Sequence, residues 1–376
     1  MSGSGLEGGV VARTRLSHID GAAGRLAYGG YSIEDLAAHA TFEEVAHLLW
    51  HGELPGRTAL DALRARLGEA LTLDASVLDV IRSAPSGAHP MAVLRTAVSA
   101  LGMLDPEAED TSEAGNIRKA VRLTAQLPVI TAAIGRIRAG REPVEAHPEE
   151  GIAANFLRML TGTDADPDRA RVIDVALILH AEHGMNASTF SGRVTIATLS
   201  DLYSAVTSAI GTLKGSLHGG ANERVMRMLE AIGEPERVDA WIRAALDRNE
   251  KIMGFGHRVY RALDPRAPIL RDLARGLAGG DASKWLRISD RIVDVMDAEM
   301  QKRGKQIYPN VDFFSASVYR TLGIPTDLFT NVFACARVVG WTAHAMEQLA
   351  DNRLIRPRAE YVGPAERTVE PIDERP

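Results

Sequence analysis

Three stretches between Lys214 and Ser315 carry side chains fit for proton transfer or charge pairing, the first two together with glycines that permit tight turns. The first, Lys214-Gly-Ser-Leu-His-Gly-Gly-Ala-Asn222, runs into the helical pattern Val225, Met226, Met228 and Leu229. His218 therefore stands just before a helix start, where free N–H groups favour anionic groups and a neutral imidazole. Such a histidine can donate a hydrogen bond to a developing oxyanion, or simply serve as a capping or loop residue. The second stretch is Ile252-Met-Gly-Phe-Gly-His-Arg-Val-Tyr-Arg261, continuing to Asp264-Pro-Arg266. Gly254 and Gly256 allow close backbone approach to a bulky ligand, and Arg258, Arg261 and Arg266 can pair with carboxylate or phosphate. It lacks the strand and helix of a dinucleotide fingerprint, and it is no P-loop because no Gly-Lys-Ser/Thr follows. In the third, Tyr308-Pro-Asn-Val-Asp-Phe-Phe-Ser315, Asp312 lies between apolar residues. It is either a helix cap or a carboxylate in a partly dry pocket, where a raised pKa would make it a stronger base.

Other candidates are weaker. His180 and His183 have the spacing of one helical turn, which suits zinc, but the usual third-ligand pattern is absent, so no metal site is expected. Asp290, Asp294 and Asp297 share a helical face that solvation explains more simply than magnesium. Cys335, the single cysteine, sits in an Ala-rich apolar run and reads as a small core residue rather than a nucleophile.

The elements that must position these residues read as helices. Thr41-Phe-Glu-Glu44 is a capping-box pattern with Val45, Leu48 and Leu49 behind it, and the helix should stop near Gly52. Similar patterns predict helices at 57–71, 90–103, 115–138, 151–161, 168–183 and 200–213. Further helices are expected at 221–231, 236–250, 267–277, 284–302, 312–322 and 327–349. Loops should fall at 83–90, 104–116, 139–150, 162–168 and 277–283. Alternating strand patterns are scarce, Arg25–Tyr28 being the best short candidate, so the fold class is all-α. The Pro-bearing, charged tail from Arg356 onward predicts an extended arm.

At 376 residues the chain is long enough for two domains or one large one, and 45% hydrophobic residues supply a sizeable core. A net charge of −6 without basic-aromatic clusters gives no reason to expect nucleic acid or an anionic membrane. No apolar run reaches the length of a membrane span, and the opening residues lack the regions of a signal peptide, so a cytoplasmic location is expected. An anionic substrate would need local arginines or backbone N–H groups.

In order along the chain, these stretches resemble the citrate synthase family from about Leu6 to Gly363. Ser17-His-Ile-Asp-Gly21, Tyr28 to Ala37, His89 to Val98, His183-Gly-Met-Asn-Ala-Ser-Thr189 and Ala336-Arg-Val-Val-Gly-Trp341 add to the match. The resemblance implies an acyl-transferring enzyme that joins the methyl carbon of an acyl-CoA thioester to a 2-oxo acid. Acetyl-CoA with oxaloacetate is the leading pair and propionyl-CoA the rival thioester, with a non-catalytic helical scaffold as the alternative of another class. It further implies catalytic roles for His218, His257 and Asp312, and oxaloacetate binding by His183, Arg266 and Arg337. Arg356 would reach the site of a partner subunit in a homodimer. CoA, a substrate rather than a cofactor, would meet Gly254, Phe255, Gly256 and Arg261. The resemblance also implies a large domain of residues 1–217 and 322–376 and a small one of 218–321 that closes over the cleft. Four positions depart from the family's usual residues. Ser216 stands for Pro, Glu182 for Asp, Gly29 for Arg and Ala316 for Gly, the last of which is expected to narrow the pocket. The chain is shorter than the hexameric, NADH-regulated members, which implies the dimeric type.

Overall fold

The computed structural model describes residues 9–257, 259–277 and 281–375. Arg258, the opening residues read for a signal, and part of the 277–283 loop lie outside these.

Three short strands come first. β1 (Ser17–Asp20), β2 (Arg25–Tyr28) and β3 (Tyr31–Ser32) form an antiparallel sheet in that order, with Ser17 opposite Tyr28. The anticipated strand is present; its two neighbours were not foreseen. The helices α1 (Ile33–His39), α2 (Phe42–His51), α3 (Arg57–Glu69), α4 (Ala75–Arg82) and α5 (Pro90–Leu104) follow. Next come α6 (Glu113–Arg138), α7 (Ile152–Thr161), α8 (Pro167–Ala181), α9 (Ala187–Ile196) and α10 (Leu202–Leu213). The chain then forms α11 (Ala221–Ile232), α12 (Val238–Asp247), α13 (Arg266–Gly276), α14 (Asp281–Lys302), α15 (Val311–Thr321) and α16 (Phe329–Ala350). The fold is all-α apart from the small sheet.

Local chemistry sets the helix ends. At α2 the Thr41 hydroxyl receives the Glu44 N–H (3.4 Å) while the Glu44 carboxylate accepts the Thr41 N–H (2.8 Å), satisfying two donors that the helix leaves free. Gly52 closes the helix at φ 86°. The helix expected at 168–183 ends earlier, at Ala181, so His183 lies beyond it. His180 is buried and its Nδ1 bonds Ala176 O (2.7 Å); the two histidines do not share a helical turn. Helices α1, α4 and α9 were not foreseen.

Helix α16 is buried along most of its length and packs against α2, α6, α8, α9 and α10. Helices α11 to α15 pack largely on one another, and α11 also touches α16. One hydrophobic cluster, from Leu16 to Ala345, runs through both groups. Cys335 is buried there beside Thr131, and burial pushes its thiol up to about 12, consistent with a core role. Gly29 adopts φ +53°, and a Cβ there would stand 2.8 Å from Leu48 Cδ1, which accounts for glycine at this position. The tail beyond Arg356 is exposed, with one 3₁₀ turn at Ile372–Glu374. Among the described residues no helix is long and apolar enough to cross a membrane.

Candidate active site

His218 lies in the connection between α10 and α11. Its Nε2 faces Ser188 Oγ (2.8 Å) and the Ser188 N–H (3.3 Å), while Trp341 Nε1 donates to the same Oγ (3.1 Å). The Ser188 N–H, shared with Asn186 Oδ1 (3.1 Å), can donate to Nε2, an arrangement that suits the tautomer with its proton on Nδ1. Burial, aided by the Arg337 charge, lowers the ring's pKa to about 4. At neutral pH it is an uncharged donor.

His257 follows the glycine turn. Gly254 and Gly256 have φ of +78° and +82°, and a Cβ on Gly254 would stand 2.8 Å from both Phe313 Cβ and Val225 Cγ2. Backbone bonds join this turn to the run before α15: Gly256 N–H to Tyr308 O (2.8 Å) and Asn310 N–H to Gly254 O (2.9 Å). Asn310 Nδ2 also donates to Gly256 O (2.8 Å). His257 Nδ1 accepts the N–H groups of Val259 (3.0 Å) and Tyr260 (3.2 Å), which places the ring proton on Nε2. Burial and then Arg266 lower its pKa to about 4, against the opposing pull of Asp264.

Asp312 occupies the first turn of α15 but is not its cap. Asn310 Oδ1 takes that role, accepting the Asp312 N–H (3.0 Å). The Asp312 carboxylate makes no hydrogen bond to the described residues, so its lone pairs stay available. Its pKa rises to about 6, chiefly through burial; Arg266 and Arg337 oppose the rise and Asp264 adds to it.

The buried Arg266 grips Asp264 with a two-pronged bond, Nε to Oδ1 at 2.9 Å and Nη2 to Oδ2 at 2.8 Å. The guanidinium thus has a carboxylate partner within its own turn. Arg337 is equally buried, donates through Nε to His180 O (2.6 Å) and lies over the Phe333 ring at 4.8 Å. Among the described residues it has no ion pair, and burial lowers it to about 10. His183 Nε2 meets the Tyr260 hydroxyl at 3.2 Å, and its ring centroid is 5.3 Å from that of His257. Burial, then Arg266 and Arg337, push His183 well below its ordinary value. The charge of Arg337 acts on His218, His183 and Asp312, and that of Arg266 on His257, His183 and Asp312. The six groups share one neighbourhood.

A cleft of about 710 Å³ leads to this place, lined by Gly254, Phe255, Gly256, His257, Tyr260, Arg261 and Asp264 among others. Arg224 and Lys251 add positive charge to it. Arg356 is exposed on the tail and absent from the described lining of this cleft. Ala316 is fully buried on α15, four residues beyond Asp312. Among the described residues no group of His, Cys, Asp and Glu is arranged to hold a metal ion. Sequence reasoning gave no role to Ser188, Trp341, Tyr260 or Asp264. Tyr260 and Asp264 stand inside a motif already singled out, but their partners His183 and Val311 are distant in sequence.

An all-helical fold, with a buried carboxylate, uncharged imidazoles and buried guanidiniums in one neighbourhood beside a cleft, suits an enzyme of acyl transfer. A sequence model described as "Citrate synthase, C-terminal domain" matches residues 5–358, and the chain belongs to the citrate synthase family. It is 52% identical to the citrate synthase of Haloferax volcanii, over 99% of this chain and 98% of that one. It is 44% identical to 2-methylcitrate synthase 2 of Corynebacterium glutamicum, over 99% and 97% of the two chains. Among solved structures it resembles the ternary complex of carboxymethyl coenzyme A and oxaloacetate with the citrate synthase of Thermoplasma acidophilum. That likeness has a TM-score of 0.93 at 36% identity, covering 99% of this chain and 98% of the other.

Proposed function

We propose that this enzyme condenses acetyl-CoA with oxaloacetate and hydrolyses the resulting citryl-CoA to citrate and free CoA. The observation that carries the reading is Asp312, a carboxylate without a hydrogen-bond partner among the described residues and raised to about 6, in the same neighbourhood as imidazoles that stay neutral. A thioester methyl group is a very weak acid, so its removal requires a base and simultaneous stabilisation of the enol oxygen. Asp312 takes the methyl proton while His218 donates from Nδ1 to the thioester oxygen. The methyl carbon then bonds to the 2-oxo carbon, and His257 donates its Nε2 proton to the carbonyl oxygen. Water cleaves the new thioester, which makes the overall reaction effectively irreversible. No cofactor takes part, because the CoA thioester is itself a substrate.

His183, Arg266 and Arg337 hold the dicarboxylate, and the turn from Gly254 to Gly256 with Arg261 receives CoA. Residues 218–321 act as a small domain that closes on residues 1–217 and 322–376, keeping water out until the carbon–carbon bond has formed. The chain works as a cytoplasmic homodimer in the tricarboxylic acid cycle, with the Arg356 tail reaching the partner's site.

Likeness to the oxaloacetate-bound relative supports the choice of 2-oxo acid. Likeness to a 2-methylcitrate synthase favours a second reading, with propionyl-CoA as donor. One methyl group in an apolar pocket is worth only about 1–3 kcal/mol of discrimination. Comparing kcat/KM for the two thioesters with oxaloacetate decides between them: acetyl-CoA is expected to win, and a strong propionyl preference overturns the assignment. Absence of oxaloacetate-dependent thiol release with either thioester would sink both.

A further inference from the structure

We propose that the β1–β2 hairpin is a positioning clamp for the 2-oxo-acid half of the site, with Gly21 setting its fit. The inference rests on the reading of His183, His257 and Arg266 as the groups that meet the 2-oxo acid. Ser17, Ile19 and Tyr28 share one face of the hairpin, since Ser17 pairs with Tyr28 and side chains two apart on a strand point the same way. That face holds the turn Glu182–Gly184, which carries His183. Ser17 Oγ donates to Glu182 Oε1 (3.0 Å). The fully buried Tyr28 hydroxyl donates to Glu182 O (2.7 Å) and accepts the Glu182 N–H (3.3 Å). Ile19 Cδ1 lies 3.2 Å from where a Cβ of Gly184 would be.

The tip of the same hairpin holds the second turn. Gly21 O accepts the Arg261 N–H (2.8 Å), and a Cβ on Gly21 would stand 2.3 Å from Val259 O. A Cβ on Gly24 would stand 2.7 Å from Leu263 O. Asp20 Oδ1 keeps the tip in shape by accepting the Ala22 (3.0 Å) and Ala23 (2.9 Å) N–H groups. The run it touches supplies both amides that fix the His257 tautomer, then leads into Asp264 and Arg266. Two four-residue strands and the turn between them thus set the separation of His183 from His257 and Arg266. Misplacing such groups by about 1 Å can cost on the order of a hundredfold in rate.

Gly21→Ala tests this directly. Gly21 does not have a left-handed backbone, so the added methyl acts through contact with Val259 alone. In substrate-free protein the Val259 and Tyr260 amides are expected to exchange hydrogen about tenfold faster than in wild type. The KM for oxaloacetate should rise about tenfold or more while that for the acyl-CoA changes by less than about twofold. Ala22→Ser, on the exposed turn and touching neither run, should behave as wild type. Should Gly21→Ala fail to fold, Ser17→Ala carries the test through the oxaloacetate KM, expected to rise at least about threefold because a charge-assisted bond is lost. Unchanged exchange and unchanged KM in the folded variants overturn the proposal. Faster exchange in a protein whose wild type does not turn over oxaloacetate upholds the clamp and overturns the substrate assignment instead.

Discussion

At the scale of single residues, the site works by keeping three imidazoles uncharged and one carboxylate reluctant to ionise. Asp312 must be ionised to act as a base, and its pKa is about 6. Activity is therefore expected to fall about tenfold per pH unit below 6, with no acid limb from His218 or His257 until about pH 4. A pH profile of kcat/KM whose acid limb lies near 4 would remove Asp312 as the titrating group. Asp312→Asn is expected to lower kcat by about 10²–10⁴-fold while oxaloacetate still binds. The same variant carries a stability signature. Between its ordinary 3.8 and about 6 the unfolded chain ionises this group and the folded protein does not, so folding loses stability as pH rises, and the loss persists above 6. Asp312→Asn should therefore stabilise the protein by on the order of 1–3 kcal/mol at pH 8 and hardly at all near pH 4, read by thermal melts at both. His218 and His257 stood out in the sequence because glycines and polar residues bracket them, and Asp312 because it is a lone carboxylate between apolar residues. Ser188 and Trp341 did not, because a serine after an asparagine and a tryptophan in an apolar run look like a cap and a core residue. Only folding brings them to the His218 ring.

At the scale of elements, long helices were readable, while the short α1, α4 and α9 were not. Helix α4 has only eight residues and α1 seven, too few for a 3.6-residue period to stand out. Helix α9, rich in Ser and Thr, buries parts of several faces and shows little periodicity. Strand β1 owes its form to pairing with β2 rather than to any alternation of its own. The glycine turn before His257 makes an element-scale prediction. Gly254→Ala combines a left-handed backbone with contacts of 2.8 Å to Phe313 and Val225, whereas Gly30→Ala, at φ +91°, meets nothing within 4 Å. Gly254→Ala is expected to cost about 2–4 kcal/mol in urea unfolding and Gly30→Ala about 1, because only the first adds overpacking to backbone strain. Equal costs would show that contact with α15 is unimportant.

At the scale of the whole molecule, a net charge of −6 is no guide to the site, where the buried Arg266 is paired with Asp264 and the buried Arg337 has no ion pair among the described residues. Under the proposed function, an anionic substrate would meet these guanidiniums locally rather than respond to overall charge. Arg356 is exposed on the tail, and the proposed homodimer would bring it to the partner's site. Arg356→Ala is expected to raise the KM for oxaloacetate several-fold and leave the dimer intact by light scattering; an unchanged KM removes it from the site. The sequence showed the tail as an arm through its prolines and charges, but the destination of an arm is a property of the assembly, which periodicity does not encode.

The backbone bonds between the turn at Gly254–Gly256 and the run at Tyr308–Asn310 have a mechanical consequence. His257 and Asp312, the proposed proton donor and proposed base, ride on opposite sides of the same seam, so a shift of one strains the other. Under the proposed function, a molecule that presses on the glycine turn alone, such as the nucleotide portion of CoA without its acyl group, would steady the carboxylate as well. Grip on the carrier and readiness to deprotonate its cargo would then be a single displacement.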